Sequence, residues 1–191
     1  IRVAWVKHGG NWFTQPYALK YLSEKLTAEN LAGLEITRGA ELAPGELRGH
    51  HIVWMTGSDD FELSEEQMGA LRGYLNAGGT LFVNAVGGSR EFRLAAQKIL
   101  DDLFEAQGVS SGVINPGSEL MTGKLGEFRG PDLNEQPLGG GRSSAWKRVD
   151  PRGNDLRLRL YIKDGRTVAM FAPFGIHDTL DGHVGHGAKS Y

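Results

Sequence analysis

The sequence predicts an α/β fold, a three-layer sandwich in which a mostly parallel sheet carries helices on both faces. Short apolar runs alternate with segments whose apolar residues recur every three or four positions, as in successive βα units. The run Ile52–Met55 is apolar throughout, which is typical of a strand buried on both faces. The 191 residues, 40% of them apolar, are enough to build one domain with a real core.

The first half supplies four predicted strands, which cover residues 1–6, 34–36, 52–55 and 80–83. Thr14 is the expected N-cap of the first helix, with Pro16 in its first turn. The inward stripe of this helix is predicted to consist of Tyr17, Leu19, Tyr21, Leu22, Leu26 and Leu31.

The second and third helices carry clearer end signals. Ser64 and Gln67 form a capping box at the start of the second helix. Gly78, followed by Gly79, ends that helix because glycine tolerates positive φ. The third helix is predicted over residues 90–107, with Phe92, Leu94, Ile99, Leu100, Leu103 and Phe104 inward.

The second half is less regular. Residues 108–152 are rich in Gly, Pro, Ser and Asn, which predicts an irregular, insertion-like region. Residues 156–163 alternate strictly, which predicts a strand with one buried and one wet face, and Asp164-Gly165 predicts a hairpin turn into a strand over 167–171. Arg157, Arg159 and Lys163 share a face with Tyr161, which predicts a solvated outer face. An acidic partner or a polysaccharide is the alternative for this basic stretch.

Composition and charge exclude several classes of protein. Without cysteine there is no disulfide framework, thiolate zinc site, iron–sulfur cluster or cysteine nucleophile. A net charge of -2 argues against a nucleic-acid binder, and no apolar run is long enough to span a membrane. We expect no cofactor. The chain opens inside a strand without an initiator Met, so we expect residues 1–191 to be a single α/β domain excised from a longer chain.

A functional site is expected where the parallel strands end, because ligands of open α/β sheets bind beyond the carboxyl ends of the strands. The loops that follow the predicted strands combine glycine with polar or ionisable residues. Glycine there lets a backbone approach a ligand closely. The candidate ligand-binding residues on these loops are His8, Asn11, Trp12, Asp59, Asp60, Ser89, Arg90 and His177.

Two alternatives concern the Gly87-Gly88-Ser89 turn before the third helix. A helix N-terminus can hold an anion, but the Walker and G-x-G-x-x-G patterns are absent, so nucleotide binding is not predicted. Ser89 lies where α/β hydrolases place their nucleophile, which makes a hydrolase one alternative function. The G-x-S-x-G elbow is not satisfied, and an N-cap role for Ser89 is favoured.

A metal site is the other alternative. His177, His183 and His186 fall within ten residues, together with Asp178 and Asp181. Imidazole and carboxylate ligands suit zinc or another divalent ion. No H-E-x-x-H occurs, and histidines in a glycine-rich loop are more often simply exposed. His50 and His51 precede a strand at its amino end and are predicted to be structural.

The sequence also resembles a known family. Residues 63–83 are similar to a segment of class I glutamine-amidotransferase-like domains, which include trehalose-utilisation-like proteins and non-catalytic relatives. Within that group the chain resembles the bacterial domain-of-unknown-function family 4159, over most of its length and least over 108–152. The supporting pieces are Gly10-Asn11-Trp12 with Pro16, Met55-Thr56-Gly57 before Phe61, Gly78-Gly79, Gly88-Ser89 with Phe92, and Gly165-Arg166 leading to Ala172-Pro173-Phe174.

This resemblance implies a flavodoxin-like fold of the class I glutamine-amidotransferase-like type and a larger chain, exported (periplasmic) or membrane-associated. True amidotransferases place a cysteine nucleophile at the turn after strand 80–83, where this chain has Ala85-Val86-Gly87-Gly88. Glutamine hydrolysis is therefore excluded, because no thiolate exists to attack the amide. We expect a non-catalytic domain that binds a small molecule, a glycan or a protein partner through the loops at the carboxyl ends of the strands.

Overall fold

A computed structural model describes residues 1–105, 108–115, 117–122, 124–125, 128–129, 157–173 and 175. Strands and helices alternate through the first half, and short strands predominate among the described residues of the second half. The elements are β1 (Arg2–Val6), α1 (Ala18–Ala28), β2 (Glu35–Ala40), β3 (Ile52–Gly57), α2 (Glu65–Asn76), β4 (Thr80–Ala85), α3 (Arg90–Phe104), β5 (Ser110–Val113), α4 (Glu119–Thr122), β6 (Lys124–Leu125), β7 (Phe128–Arg129), β8 (Arg159–Lys163) and β9 (Arg166–Ala172).

Seven of the strands form one sheet in the order β2-β1-β3-β4-β9-β8-β5. The first five of these run parallel, whereas β8 and β5 are added antiparallel at one side. The parallel part has the flavodoxin-type order, in which the connections reverse direction between β1 and β3. The predicted α/β class is confirmed. Strands β6 and β7 pair separately as a small hairpin.

Apolar side chains on the two faces of the sheet form separate clusters, which makes three layers. On one face, α2 and α3 bury residues such as Leu71 and Leu100 against Val53 and Val83. On the other face, α1 packs Leu19 on β1 and β3, and α4 packs Met121 near β8. A strand covered on both faces must be apolar on both, which accounts for the continuous run in β3.

The ends of α2 and α3 follow the predicted capping chemistry. The Ser64 hydroxyl accepts the Gln67 N–H, and the Gln67 side chain accepts the Ser64 N–H, so the capping box is confirmed. Gly78 has φ of 103° just beyond α2, as the predicted stop requires. The Ser89 hydroxyl accepts the Phe92 N–H and caps α3.

The start of α1 differs from the prediction. The N-cap is Tyr17, without a side-chain cap, and Thr14 lies in the preceding loop. In that loop, Trp12 and Phe13 pack their rings against Trp5 of β1. Because these contacts hold the loop in a non-helical path, the helix begins after Thr14. The inward face consists of Ala18, Leu19 and half-buried Leu22 and Leu26, whereas Tyr17, Tyr21 and Leu31, predicted to point inward, are exposed.

The predicted wet face of β8 is wrong at Tyr161, whereas Arg157 on that face is exposed and Arg159 and Lys163 are half-buried. Tyr161 is 3% exposed, stacks on Phe104 of α3, and its hydroxyl accepts a hydrogen bond from Gln97. The strict alternation breaks at an irregularity between Tyr161 and Ile162. The sequence pattern could not show that α3 extends over this strand. The predicted turn at Asp164-Gly165 is confirmed, with φ of 50° and 76°.

Candidate functional site

The loops after β1, β3, β4 and β9 emerge at the same edge of the sheet, because these four strands run parallel. We call this the carboxyl edge. The connection from β1 leads to one side of the sheet, and the connection from β2 leads back past β1 to β3. In flavodoxin-type sheets such a switch point opens a crevice between the two strands. The loops from these two strands, residues 7–17 and 58–64, therefore form the centre of the candidate site, and we call the line along which they meet the crevice.

His8 joins the two sides of this crevice from below the surface. It is 5% exposed, and its ring lies 4.2 Å from the ring of Phe61 between centroids. Nδ1 accepts the Gly10 N–H at 3.2 Å, so the proton is on Nε2, which donates to the Thr56 carbonyl at 2.9 Å. Burial lowers the pKa of His8, opposed by the Thr56 hydrogen bond and the Asp59 charge. His8 thus holds the two loops together as a neutral ring.

A chain of polar groups joins the same two loops at the surface. The Asn11 amide donates to the Ser58 hydroxyl at 3.3 Å, and that hydroxyl donates to the Asp59 carboxylate at 2.8 Å. Asn11, Asp59 and Asp60 are exposed. Two loops that are distant in sequence therefore present a fixed row of hydrogen-bonding groups to solvent.

The turn after β4 is attached to the same row. The Ser89 hydroxyl donates to the Ser58 carbonyl. Glu91 Oε2 lies 3.2 Å from the same Ser89 hydroxyl oxygen. The Glu91 backbone N–H and the Ser89 hydroxyl lower the pKa of the Glu91 carboxyl. Arg90 is exposed beside them. Ser58, which the sequence did not single out, thus contacts groups from all three loops. Its position directly after a strand-end glycine was the available signal.

The hydrogen bonds of the Ser89 hydroxyl are those of a helix cap. It accepts from the Phe92 N–H at 3.3 Å, and its other partners are a backbone carbonyl and a carboxylate. Both ring nitrogens of His8 are engaged with backbone groups instead. A hydrolase would need a base that takes the serine proton, so this arrangement favours the cap.

Trp12 lies at the side of the crevice near β2. It is half-buried, its ring stands edge-on to Trp5 at 6.2 Å, and its carbonyl accepts the Trp5 indole N–H at 3.3 Å. A Cβ on Gly39 would lie 3.4 Å from the Trp12 ring. Trp12 is therefore held against the ends of β1 and β2, with part of its surface available.

Gly57 lets the end of β3 pack closely against α3 and the β1 loop. A Cβ at this position would lie 2.8 Å from the Phe92 ring and 2.9 Å from the Asn11 carbonyl. Only a residue without a side chain lets β3 end this close to α3 and to the β1 loop. A groove of about 630 Å³ begins beside the crevice at Asp60 and continues between α2 and α3.

The residues of the metal alternative follow β9. His177, His183 and His186, with Asp178 and Asp181, lie outside the described residues. Within the described ranges, no three His, Asp or Glu side chains come together as a metal site. His50 and His51 have the structural roles predicted for them: His50 bonds to the Thr37 hydroxyl, and His51 accepts the Arg2 N–H.

Comparison with known proteins finds one matching family model. A family model described as "Domain of unknown function (DUF4159)" matches residues 2–109, which include the loops after β1, β3 and β4. No curated protein matches the chain. None of the helices in the described part of the chain has the length and apolar content needed to cross a bilayer.

Proposed function

Since the chain belongs to the family described as Domain of unknown function (DUF4159), we propose a function from its site: it is a non-catalytic binding domain that holds its ligand at the carboxyl edge. The contacting groups are Asn11, Asp59, Asp60 and Arg90, with Trp12 at the side. The ligand classes in question are a small molecule, a glycan or a protein partner. A relationship to class I glutamine-amidotransferase-like domains is part of this proposal, supported by the three layers and the parallel strand order.

One observation carries the proposal. The hydrogen bonds from Asn11 to Ser58 and from Ser58 to Asp59, together with the Ser89–Ser58 bond, join the ends of β1, β3 and β4. Binding sites gain affinity when polar groups are held in place before the ligand arrives, because less side-chain entropy is lost. Here the hydrogen bonds link residues of the chain to one another, and the Asn11 and Asp59 side chains that take part in them are exposed to a ligand.

Binding can be tested by NMR with a fragment library that contains sugars, nucleosides and short peptides. We expect fragments that bind to shift the amide signals of residues 8–12, 58–60 and 89–90. Asp59→Asn should weaken binding by about tenfold or more, since hydrogen bonds to charged groups contribute about 1.5–3 kcal/mol. Glu46→Gln is the matched control, because Glu46 is also exposed but lies away from this edge. Equal effects of the two variants would contradict the proposal.

The serine hydrolase alternative needs a separate assay. We expect no hydrolysis of an activated ester that depends on Ser89, because its hydroxyl bonds to a backbone carbonyl, a carboxylate and the backbone N–H that it caps. Turnover that Ser89→Ala abolishes, in a variant that is still folded by circular dichroism, would establish the hydrolase instead.

A further inference from the structure

Three aromatic rings in and after the β1–α1 loop are exposed. Phe13 is 45% exposed, Tyr17 55% and Tyr21 45%. The four-residue spacing of Tyr17 and Tyr21 places them on one face of α1, whose opposite face holds Ala18 and Leu19 against the sheet. Rings of this size normally bury most of their area, and a group of exposed ones marks an interaction surface.

Each of these rings contacts another aromatic ring. Phe13 lies 5.3 Å from the fully buried Trp5 and 5.2 Å from Trp12, between ring centroids. Tyr17 and Tyr21 are 6.3 Å apart and tilted by 50°. We call Trp12, Phe13, Tyr17 and Tyr21 the aromatic segment. Rigid aromatic faces bind ligands at a low cost in conformational entropy.

The aromatic segment continues directly from the carboxyl edge. Asn11, at one end of the polar row, is the residue before Trp12, and Tyr17 occupies the N-cap position of α1, at the helix end that lies at that edge. Arg38 of β2 is exposed, and its guanidinium donates to the Pro16 carbonyl at 3.1 Å. Planar hydrogen-bonding groups therefore adjoin the rings on two sides.

The charges nearby narrow the class of ligand. Lys20 and Glu24 on the outer face of α1 pair with each other at 3.8 Å. Beside the rings and at the carboxyl edge, the exposed guanidinium groups of Arg38 and Arg90 offset the exposed carboxylates of Asp59 and Asp60. The surface therefore has no excess of one charge that would select an anion or a cation. A neutral ligand with one apolar face and many hydroxyl groups fits both the rings and the polar row, and this is the chemistry of a glycan chain.

We propose that the aromatic segment binds a neutral glycan, whose sugar rings stack on Phe13, Tyr17 and Tyr21 and whose hydroxyl groups reach Asn11 and Asp59. This inference rests on the proposed function, since it names the ligand class of the same edge. Stacking supplies contact area, and the polar row supplies orientation.

The test is titration of the protein with cellohexaose, chitohexaose and maltohexaose, followed by NMR and calorimetry. We expect one of these hexasaccharides to bind with a Kd in the millimolar range or tighter and to shift signals of residues 12–21. Tyr17→Ser and Tyr21→Ser should each weaken binding about threefold to tenfold, as removal of one aromatic contact does. Leu94→Ser is the control, because Leu94, which was predicted to point inward, is 47% exposed on α3, in the opposite layer.

Three outcomes overturn the proposal. The first is that no hexasaccharide at millimolar concentration shifts the NMR signals of residues 12–21. If fragments still bind in an Asp59-dependent way, this result rejects only the glycan, and the proposed function stands. The second is glycan binding that the tyrosine variants leave unchanged. The third is a dimer, seen by sedimentation, that Tyr17→Ser dissociates, which assigns the rings to a second copy of the chain. Glycan binding that requires Tyr17 but is unchanged in Asp59→Asn rejects the proposed function and the contact of the glycan with Asp59, and leaves only the stacking on the rings.

Discussion

Replacement of His8 by phenylalanine tests whether this ring holds the crevice together. The variant keeps an aromatic ring next to Phe61 and Phe92 but removes the donor to the Thr56 carbonyl and the acceptor for the Gly10 N–H. Thr56 is fully buried and Gly10 is half-buried. Loss of a buried hydrogen-bond partner costs about 1–3 kcal/mol. We therefore expect His8→Phe to lower the free energy of unfolding by about 2–4 kcal/mol.

The effect also depends on pH. The pKa of His8 in the folded protein is lowered by burial, so its neutral form contributes stability in full above about pH 6.5, and this contribution is lost as the pH falls through the folded pKa. Between about pH 7.5 and pH 5.5 the loss is at most about 1.4 kcal/mol, the limit set by protonation of the unfolded chain. The difference in stability between wild type and His8→Phe should shrink by up to that amount.

Urea unfolding followed by circular dichroism at several pH values measures both quantities. His51→Phe is the matched control, because His51 also accepts a backbone N–H but is exposed, so water can replace the bond. We expect it to cost less than about 1 kcal/mol. A stability difference for His8→Phe that stays constant or grows on acidification would refute the neutral, buried assignment of His8.

Three further predictions concern stability and use the same unfolding measurement. Arg166→Ala should cost about 1.5–3 kcal/mol, because the Arg166 guanidinium donates to three carbonyls at the C-terminal end of α2, at 2.8–3.1 Å; a loss no larger than that of an exposed arginine contradicts this. Gly57→Ala should lower the free energy of unfolding by about 1–3 kcal/mol, because the new Cβ overlaps with the Phe92 ring. Gly69→Ala should raise it by about 0.5–1 kcal/mol, because a Cβ on this helical residue meets no atom within 4 Å; a change of the same sign in both variants would be inconsistent with the packing. Ser89→Ala should cost about 1 kcal/mol through loss of the α3 cap, and Ser89→Asp should restore most of it; no recovery in the aspartate variant speaks against the cap.

Local signals in the sequence predicted much of the fold because their physics is local. A capping box needs only residues three apart, so Ser64 and Gln67 identified the start of α2. A positive φ needs a residue that tolerates it, so Gly78 marked the end of that helix. The start of α1 was wrong because Thr14 belongs to a loop fixed by contacts with Trp5, which lies in a strand.

The sequence could name the loops of the candidate site, but it could not distinguish exposed from buried positions within them. His8 and Asp59 were equivalent candidates by type and place. The structure buries His8 beneath Phe61 and leaves Asp59 exposed. Ser58 was overlooked because its importance comes from hydrogen bonds to residues about 30 and 50 positions away, which no local pattern records.

By itself the sequence determined the alternation of strands and helices, the absence of a cysteine nucleophile and the residues at the strand ends. Periodicity, composition and turn chemistry are properties of neighbouring residues, so they can be read from the chain alone. Only the tertiary structure decided that β9 lies beside β4, that Tyr161 is buried under α3, and that Tyr17 and Tyr21 face outward. Each of these depends on which element covers which face, and that is fixed by packing between segments far apart in the chain.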